Sequence, residues 1–223
     1  MSNIDNISPS FASTLAKSDL STLMKDGVEL SIDSLMDDGI AKDIPVVGTI
    51  VGLIKSSQNI GNWLFLKKIL AFLTKLESVD RQQREKMINK IDNSKTYRKK
   101  VGDQLLFIID SCEDDIKAEY IAVLFKAFIN EEVTYDDFMK GSSIINRLTT
   151  VDFDRFVKFG ADMYDTDFIG VGLAYTRMSK IRVSDTKYYA DRKQEDLVDG
   201  YAVDGGEVEV ELSNIGEVLM GIF

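Results

Sequence analysis

Residues 44–76 read IPVVGTIVGLIKSSQNIGNWLFLKKILAFLTKL, and the fold follows from this stretch. Pro45 suits the first turn of a helix, where its missing N–H has no bond to lose. At 100° per residue, Val46, Val47, Ile50, Val51, Leu53 and Ile54 share one broad face. Gly48, Gly52 and Ser56 stand four residues apart on the other side, a small-residue stripe that admits a second backbone. Tight packing inside a bundle is the ordinary use of such a stripe, and a membrane or oligomer contact is the sharper one. The polar step from Ser56 to Asn59, with Gly61, bends or breaks the helix. Beyond it Trp63, Phe65, Leu66, Ile69, Leu70, Phe72, Leu73 and Leu76 fill one half of the helical wheel. Lys67, Lys68 and Lys75 take the other half. Ile60 and Leu64 lie toward the lysines, so a second covering neighbour is expected there. The apolar run is too short for a bilayer, which takes about 20 residues.

On the amino-terminal side, residues 1–9 read as a flexible leader. A helical pattern starts at Ser10 with Phe11, Leu15, Leu20 and Leu23, and a second runs from Val28 to Ile40. On the carboxy-terminal side, Ser78 or Asp80 can cap a polar helix whose apolar stripe is Met87, Ile88 and Ile91. Ser94 can open the next helix, which carries Arg98, Lys99 and Lys100 before Leu105, Leu106, Ile108 and Ile109. That basic run reads first as a solvated helix end. Glu113 to Asp115 suit a helix N-terminus, and Thr134 with Asp137 forms a capping-box pattern. Thr150 can open a further helix with Phe153 and Phe156.

The last sixty or so residues change character. Gly160, Gly170 and Gly172 interrupt the helical pattern. Asp162, Asp165 and Asp167 lack the glycine and distal glutamate of a calcium loop. Residues 184–196 read as a mobile loop. Leu197–Val203 and Glu207–Leu212 read as two strands of a hairpin turning at Asp204-Gly205-Gly206. Ser213 caps a final helix. The expected fold is therefore mainly α: a bundle of about seven or eight helices over residues 10–160, then a small hairpin-plus-helix segment over 161–223.

Charge narrows the function. The net charge is −10, which opposes a general DNA-binding surface. Residues 1–43 hold three basic and eight acidic side chains, residues 44–112 twelve and six, residues 113–223 twelve and twenty-three. A basic middle lies between acidic flanks. There is no histidine, so the commonest general base and zinc ligand are missing. The lone Cys112 fits a reducing compartment and reads as a small buried apolar residue. The first residues lack a signal-peptide pattern. A cytoplasmic location follows, with the inner membrane face as a peripheral alternative. No cofactor or metal is expected.

Gly172-Leu173, the two strands and Leu212-Ser213-Asn214-Ile215-Gly216 resemble the end of a degenerate winged helix. The likeness covers the last quarter of the chain, and acids crowd the place where a DNA-binding wing would be basic. The whole layout, with the segments IPVVGTIVGLI and FLKKILAFL, is similar to bacterial helical proteins of the abortive-infection alpha type. That resemblance implies a part in defence against phage and brings no catalytic residues with it.

The expected function is a non-enzymatic interaction or regulatory protein, acting on a protein partner or on a second copy. Its candidate contact residues are Gly48, Gly52, Ser56, Trp63, Lys67, Lys68, Lys75, Arg98, Lys99 and Lys100. One alternative is a membrane-active effector that inserts the 45–76 hairpin, its lysines meeting anionic headgroups. Another is a nucleic-acid-binding regulator using the winged-helix-like end, which the charge disfavours. The acid pairs Asp114/Asp115, Asp136/Asp137 and Asp165/Asp167 could serve acid–base chemistry, but such pairs are usually caps and solvated turns.

Overall fold

The computed structural model describes residues 4–23, 43–57, 60–93, 100–160, 166–189 and 197–223. Its helices are α1 (Ile4–Lys17), α2 (Pro45–Ser57), α3 (Ile60–Lys75), α4 (Arg81–Asp92), α5 (Val101–Asp110), α6 (Asp115–Ile129), α7 (Tyr135–Arg147), α8 (Thr150–Phe159), α9 (Thr166–Val171) and α10 (Asn214–Ile222). A single 3-10 turn covers Leu20–Leu23. The strands are β1 (Ala174–Met178), β2 (Arg182–Tyr189), β3 (Leu197–Asp204) and β4 (Val208–Leu212). The protein is mainly helical, as expected, with a small antiparallel β region and a closing helix.

The centre is the pair α3 and α6. On α3 the buried residues Phe65, Leu66, Ile69, Leu70, Phe72 and Leu73 recur at three- and four-residue steps, so one side turns inward. Helix α6 is buried along Ala118, Ile121, Ala122, Leu124, Phe125 and Phe128, because α3, α4, α7 and α10 all lean on it. An aromatic line crosses the body. Phe11 of α1 lies 6.1 Å from Phe72, Phe72 lies 5.9 Å from Phe125, and Phe125 lies 5.4 Å from Phe138 of α7. Each of these four rings is fully buried, which is worth on the order of 2–3 kcal/mol apiece.

Polar details lock the elements. Pro45 opens α2 without an N–H, and the next amide, Val46, donates to Thr14 Oγ1 of α1 at 3.1 Å. An orphan donor of one helix start is thereby satisfied by another helix. Arg84 of α4 is 2% exposed and donates from Nη1 to the Leu15 carbonyl at 3.0 Å and from Nη2 to the Ser18 carbonyl at 2.8 Å. Its burial lowers its pKa, with Asp80 and Asp19 opposing. Asp80 caps α4, and Thr134 and Asp137 form the expected capping box on α7. Helix α8 is capped by Thr149, one residue before the expected Thr150.

Three expectations fail here. Helix α1 begins at Ile4 and buries Ile7, inside the span expected to be a loose leader. The span 184–196 expected to be a loop contains most of β2, and only 190–196 of it lie outside the described residues. The two carboxy-terminal strands do not pair with each other. β4 pairs with β1 and β3 pairs with β2, all antiparallel. The pattern over 28–40 and the start at Ser94 lie outside the described residues.

Both ladders follow one register. Met178 faces Val208 and Arg182 faces Asp204, so three residues intervene on each strand. Residues 174–189 and 197–212 therefore form one long two-stranded ribbon with an irregular waist at 179–181 and 205–207. Gly205 (φ +86°) and Gly206 (φ +83°) make the waist. A Cβ on Gly205 would stand 2.1 Å from the Lys180 carbonyl oxygen, so only glycine fits. These glycines read as a hairpin turn in the sequence and act as a kink in a continuing strand.

Candidate functional surface

The ribbon is clasped to the body at its base. The Ser213 amide donates to the Leu173 carbonyl at 2.9 Å, and the Ser213 hydroxyl donates to the Gly172 carbonyl at 2.6 Å while accepting from the Gly216 amide at 3.1 Å. Leu173, Ala174 and Leu219 are buried there, and α10 packs on α6, α7 and α8. On β1 and β4 the core-side face is Ala174, Thr176, Val210 and Leu212, with Met178 and Val208 farther out and exposed. The opposite face is charged. Glu211 accepts from the Tyr175 hydroxyl at 2.5 Å and from Arg177 Nη1 at 3.1 Å. Those two bonds hold the Glu211 carboxyl below its usual range, and its contact with Tyr175 raises the phenol.

Beyond the waist the ribbon leaves the body. Among the described side chains of β2 and β3, all but Thr186 are exposed. Register and strand alternation put Val183, Asp185 and Lys187 on one face with Val203, Tyr201 and Asp199. The apolar members stand in solvent, at 63% for Val183, 67% for Val203 and 76% for Tyr201. Lys187 and Asp199, directly opposite, approach to 3.7 Å. The other face carries Arg182, Ser184, Ala202 and Asp204. That face thus mixes three apolar side chains with Asp185, Lys187 and Asp199, and all six stand in water.

The residues nominated from the sequence scatter. Gly52 and Ser56 are exposed, and among the described residues nothing lies within 4 Å of a Cβ placed on Gly52. Among the described residues no second backbone packs against Gly52, and Gly48 is half-buried. Trp63 is half-buried against the core. The cover expected over Ile60 and Leu64 is not found among the described residues, since they are 74% and 56% exposed. Lys68 turns inward to the carbonyls of Asp110, at 3.1 Å, and Cys112, where it caps the end of α5. Lys75 pairs with Glu119 of α6 at 3.0 Å. Lys67 and Lys100 are exposed. Arg98 and Lys99 lie outside the described residues.

Two of the acids that could carry chemistry cap helices. Asp114 caps α6, accepting from the Lys117 amide at 2.8 Å, and Asp137 belongs to the capping box on α7. Asp136 is exposed. Asp162 and Asp165 lie outside the described residues, as does the side chain of Asp167. Cys112 is buried, and burial pushes its thiol up to about 11, with Lys68 and Lys117 opposing. Such a thiol is a poor nucleophile. Tyr120 donates to Asp154, and burial followed by that bond raises its pKa. Among the described residues no three His, Cys, Asp or Glu side chains gather closely enough to hold a metal. No described helix is long and apolar enough to cross a membrane.

The exposed ribbon face escaped the sequence reading for a definable reason. Residues 175–189 hold the β-forming Tyr175, Thr176, Ile181, Val183, Thr186 and Tyr188. Charged residues interleave with them, so 184–189 read as part of a loop and 175–183 as no strand. Comparison of the chain with protein-family models, with curated proteins and with solved structures found no match.

Proposed function

We propose that this chain is an interaction protein: a helical body that presents a β-ribbon to a protein partner and catalyses no reaction itself. One observation carries the reading, the neighbouring apolar side chains of Val183, Val203 and Tyr201 held out in solvent by a ribbon clasped at its base. Exposed apolar surface beyond scattered single residues marks contact sites. A two-stranded ribbon is also marginal in water by itself and gains from a covering partner. The carboxylates at Asp114 and Asp137, members of two of the acid pairs, act as helix caps. Five acids on residues 197–212 speak against nucleic acid as the partner. The narrower reading, a component of bacterial phage defence, rests on the abortive-infection resemblance alone.

The test is a photoreactive amino acid at Tyr201, compared with one at the exposed Ser143 of α7, in the full chain within cells. Protein adducts from position 201 and none from 143 are expected. Equal labelling, or no adduct from 201, overturns the reading.

A second reading has its own observation. Ile60 and Leu64 are exposed on α3 one turn before the exposed Lys67, an arrangement suited to an anionic lipid surface. Co-sedimentation with anionic but not neutral vesicles, lost in I60S/L64S, would support it; no co-sedimentation ends it.

A further inference from the structure

We propose that the outer edge of β4 takes an added strand: an extended segment of a partner protein in which lysine or arginine alternates with an apolar residue. The proposal rests on the reading of the ribbon as a protein-contact element and gives that contact a place and a chemistry.

The ladder shows which backbone groups are free. The Ser213 amide donates to the Leu173 carbonyl and the Ser179 amide to the Glu207 carbonyl, each at 2.9 Å. In an antiparallel pair, opposed residues exchange hydrogen bonds at every second position. By the register of β1 and β4, the bonded residues of β4 are therefore Glu209 and Glu211. The amides and carbonyls of Val208 and Val210 turn the other way, off the far edge of the strand. Val208 is exposed and Val210 half-buried. Among the described residues β4 has no second strand beside it, and no group bonds to the backbone of Val208 or Val210. Such an open row is a template for another strand.

Side chains choose the strand. Glu207, Glu209 and Glu211 share one face, and Val208, Val210 and Leu212 share the other. Glu211 is engaged by Tyr175 and Arg177. Glu207 and Glu209 are exposed and form no ion pair among the described residues. A strand on this edge would lie about 5 Å from β4 and about 10 Å from β1 with its Arg177. It therefore meets the glutamates first. Its side chains beside Glu207 and Glu209 favour positive charge, and those beside Val208 and Val210 favour apolar groups that cover them. The same glutamates guard the edge, since two copies joined β4 to β4 would set like charges together.

The experiment is amide hydrogen exchange on the full chain, read residue by residue by NMR. In the chain alone, the amides of Val208 and Val210 should exchange faster than those of Glu209 and Glu211. A blocked peptide of about seven residues, lysine alternating with valine, should slow Val208 and Val210 about tenfold or more. The valines of the bound peptide stand opposite Val208 and Val210, so their amides face β4. Methylating the valine amides should abolish the effect, whereas methylating the lysine amides should not. E207K/E209K should lose the lysine peptide and accept its glutamate counterpart, a still-slow Glu211 amide showing that the ribbon is intact. Slow Val208 and Val210 amides in the chain alone overturn the proposal, because the edge is then already taken. Peptide binding that leaves those amides fast, or that ignores which amides are methylated, overturns it too, as attraction to an acidic surface only. So does a double variant that still binds the lysine peptide. Protection that grows with the concentration of the chain alone would make a second copy the occupant, which also overturns it. Any of these results beside protein adducts from position 201 would sink the edge and leave the interaction reading standing.

Discussion

The body and the ribbon use the same kinds of side chain in opposite ways. In the body, Phe72, Phe125 and Phe138 touch one another and show no exposure. In the distal ribbon, Val183, Val203 and Tyr201 are equally apolar and stand mostly in water. The body draws its stability from burial, which is cooperative because each helix covers another. The ribbon draws its own from backbone pairing, a clasp at its base and a few cross-strand contacts. Global stability should therefore reside in the body, while the ribbon should be free to change without unfolding it. The contrast explains how these exposed apolar side chains persist: the helices do not depend on them.

The largest expected effect tests that contrast directly. Phe125→Ala removes a ring packed 5.9 Å from Phe72, 6.1 Å from Phe128 and 5.4 Å from Phe138. It should cost about 3–5 kcal/mol in urea denaturation. Val203→Ala should cost less than about 0.5 kcal/mol, as exposed substitutions do. Comparable losses at the two positions would mean that the ribbon is a packed part of the body.

Arg84 extends the contrast to polar groups. Its guanidinium closes α1 onto α4 through the carbonyls of Leu15 and Ser18. Arg84→Met keeps the volume and drops both bonds. Hydrogen bonds from charged donors are worth roughly 1.5–3 kcal/mol each, and relief of a buried charge offsets part of that. A net loss of about 2 kcal/mol is expected in the same assay. Lysine has a single donor centre and should not restore wild-type stability. The ion pair Lys187–Asp199, at 70% and 90% side-chain exposure, should contribute nothing measurable to folding of the chain.

How far the sequence foretold these regions follows the same line. The body was legible because burial writes a period of 3.6 into residues such as Phe65, Ile69 and Phe72. Caps at Asp80, Thr134 and Ser213 were legible because a side chain there bonds to its own helix. The ribbon was read in half. Alternation marked Val208, Val210 and Leu212 as a strand, but pairing is a non-local choice, and Gly205-Gly206 pointed to the wrong partner. Of the nominated lysines of α3, Lys67 and Lys75 are exposed and Lys68 is half-buried. Their direction was not foreseeable, since the ends of α5 and α6 that receive Lys68 and Lys75 come from elsewhere in the chain.

Alkaline titration sharpens the contrast by a smaller amount. The Cys112 thiol ordinarily titrates near 9.0 and is pushed to about 11 in the folded body. Between those values the unfolded chain has lost the proton and the folded chain has kept it, so stability falls as pH rises. The contribution is complete below pH 9.0 and is lost progressively toward pH 11, by about 2.7 kcal/mol at most. Cys112→Ala should remove this part of the pH slope, whatever its constant cost. Identical slopes for the two proteins between those pH values would show that the thiol is reached by water.

The smallest global effect is expected from a severe steric insult in the ribbon. A Cβ on Gly205 would lie 2.1 Å from the Lys180 carbonyl oxygen, and one on Gly216 would lie 2.2 Å from the Leu173 carbonyl oxygen. The two clashes are nearly equal, but Gly216 belongs to the clasp where α10 meets the body. Gly216→Ala should cost about 1–3 kcal/mol of global stability, because well-packed surroundings must shift. Gly205→Ala adds strain at φ +86° to its clash, yet the strands it disrupts cover no core. Its global midpoint should move by less than about 0.5 kcal/mol. Amide hydrogen exchange should nonetheless speed up across β2 and β3 and stay unchanged in α3 and α6. A large global loss from Gly205→Ala would place the distal ribbon inside the cooperative unit. Its exposed face would then be a structural compromise of the fold and no longer evidence for a partner.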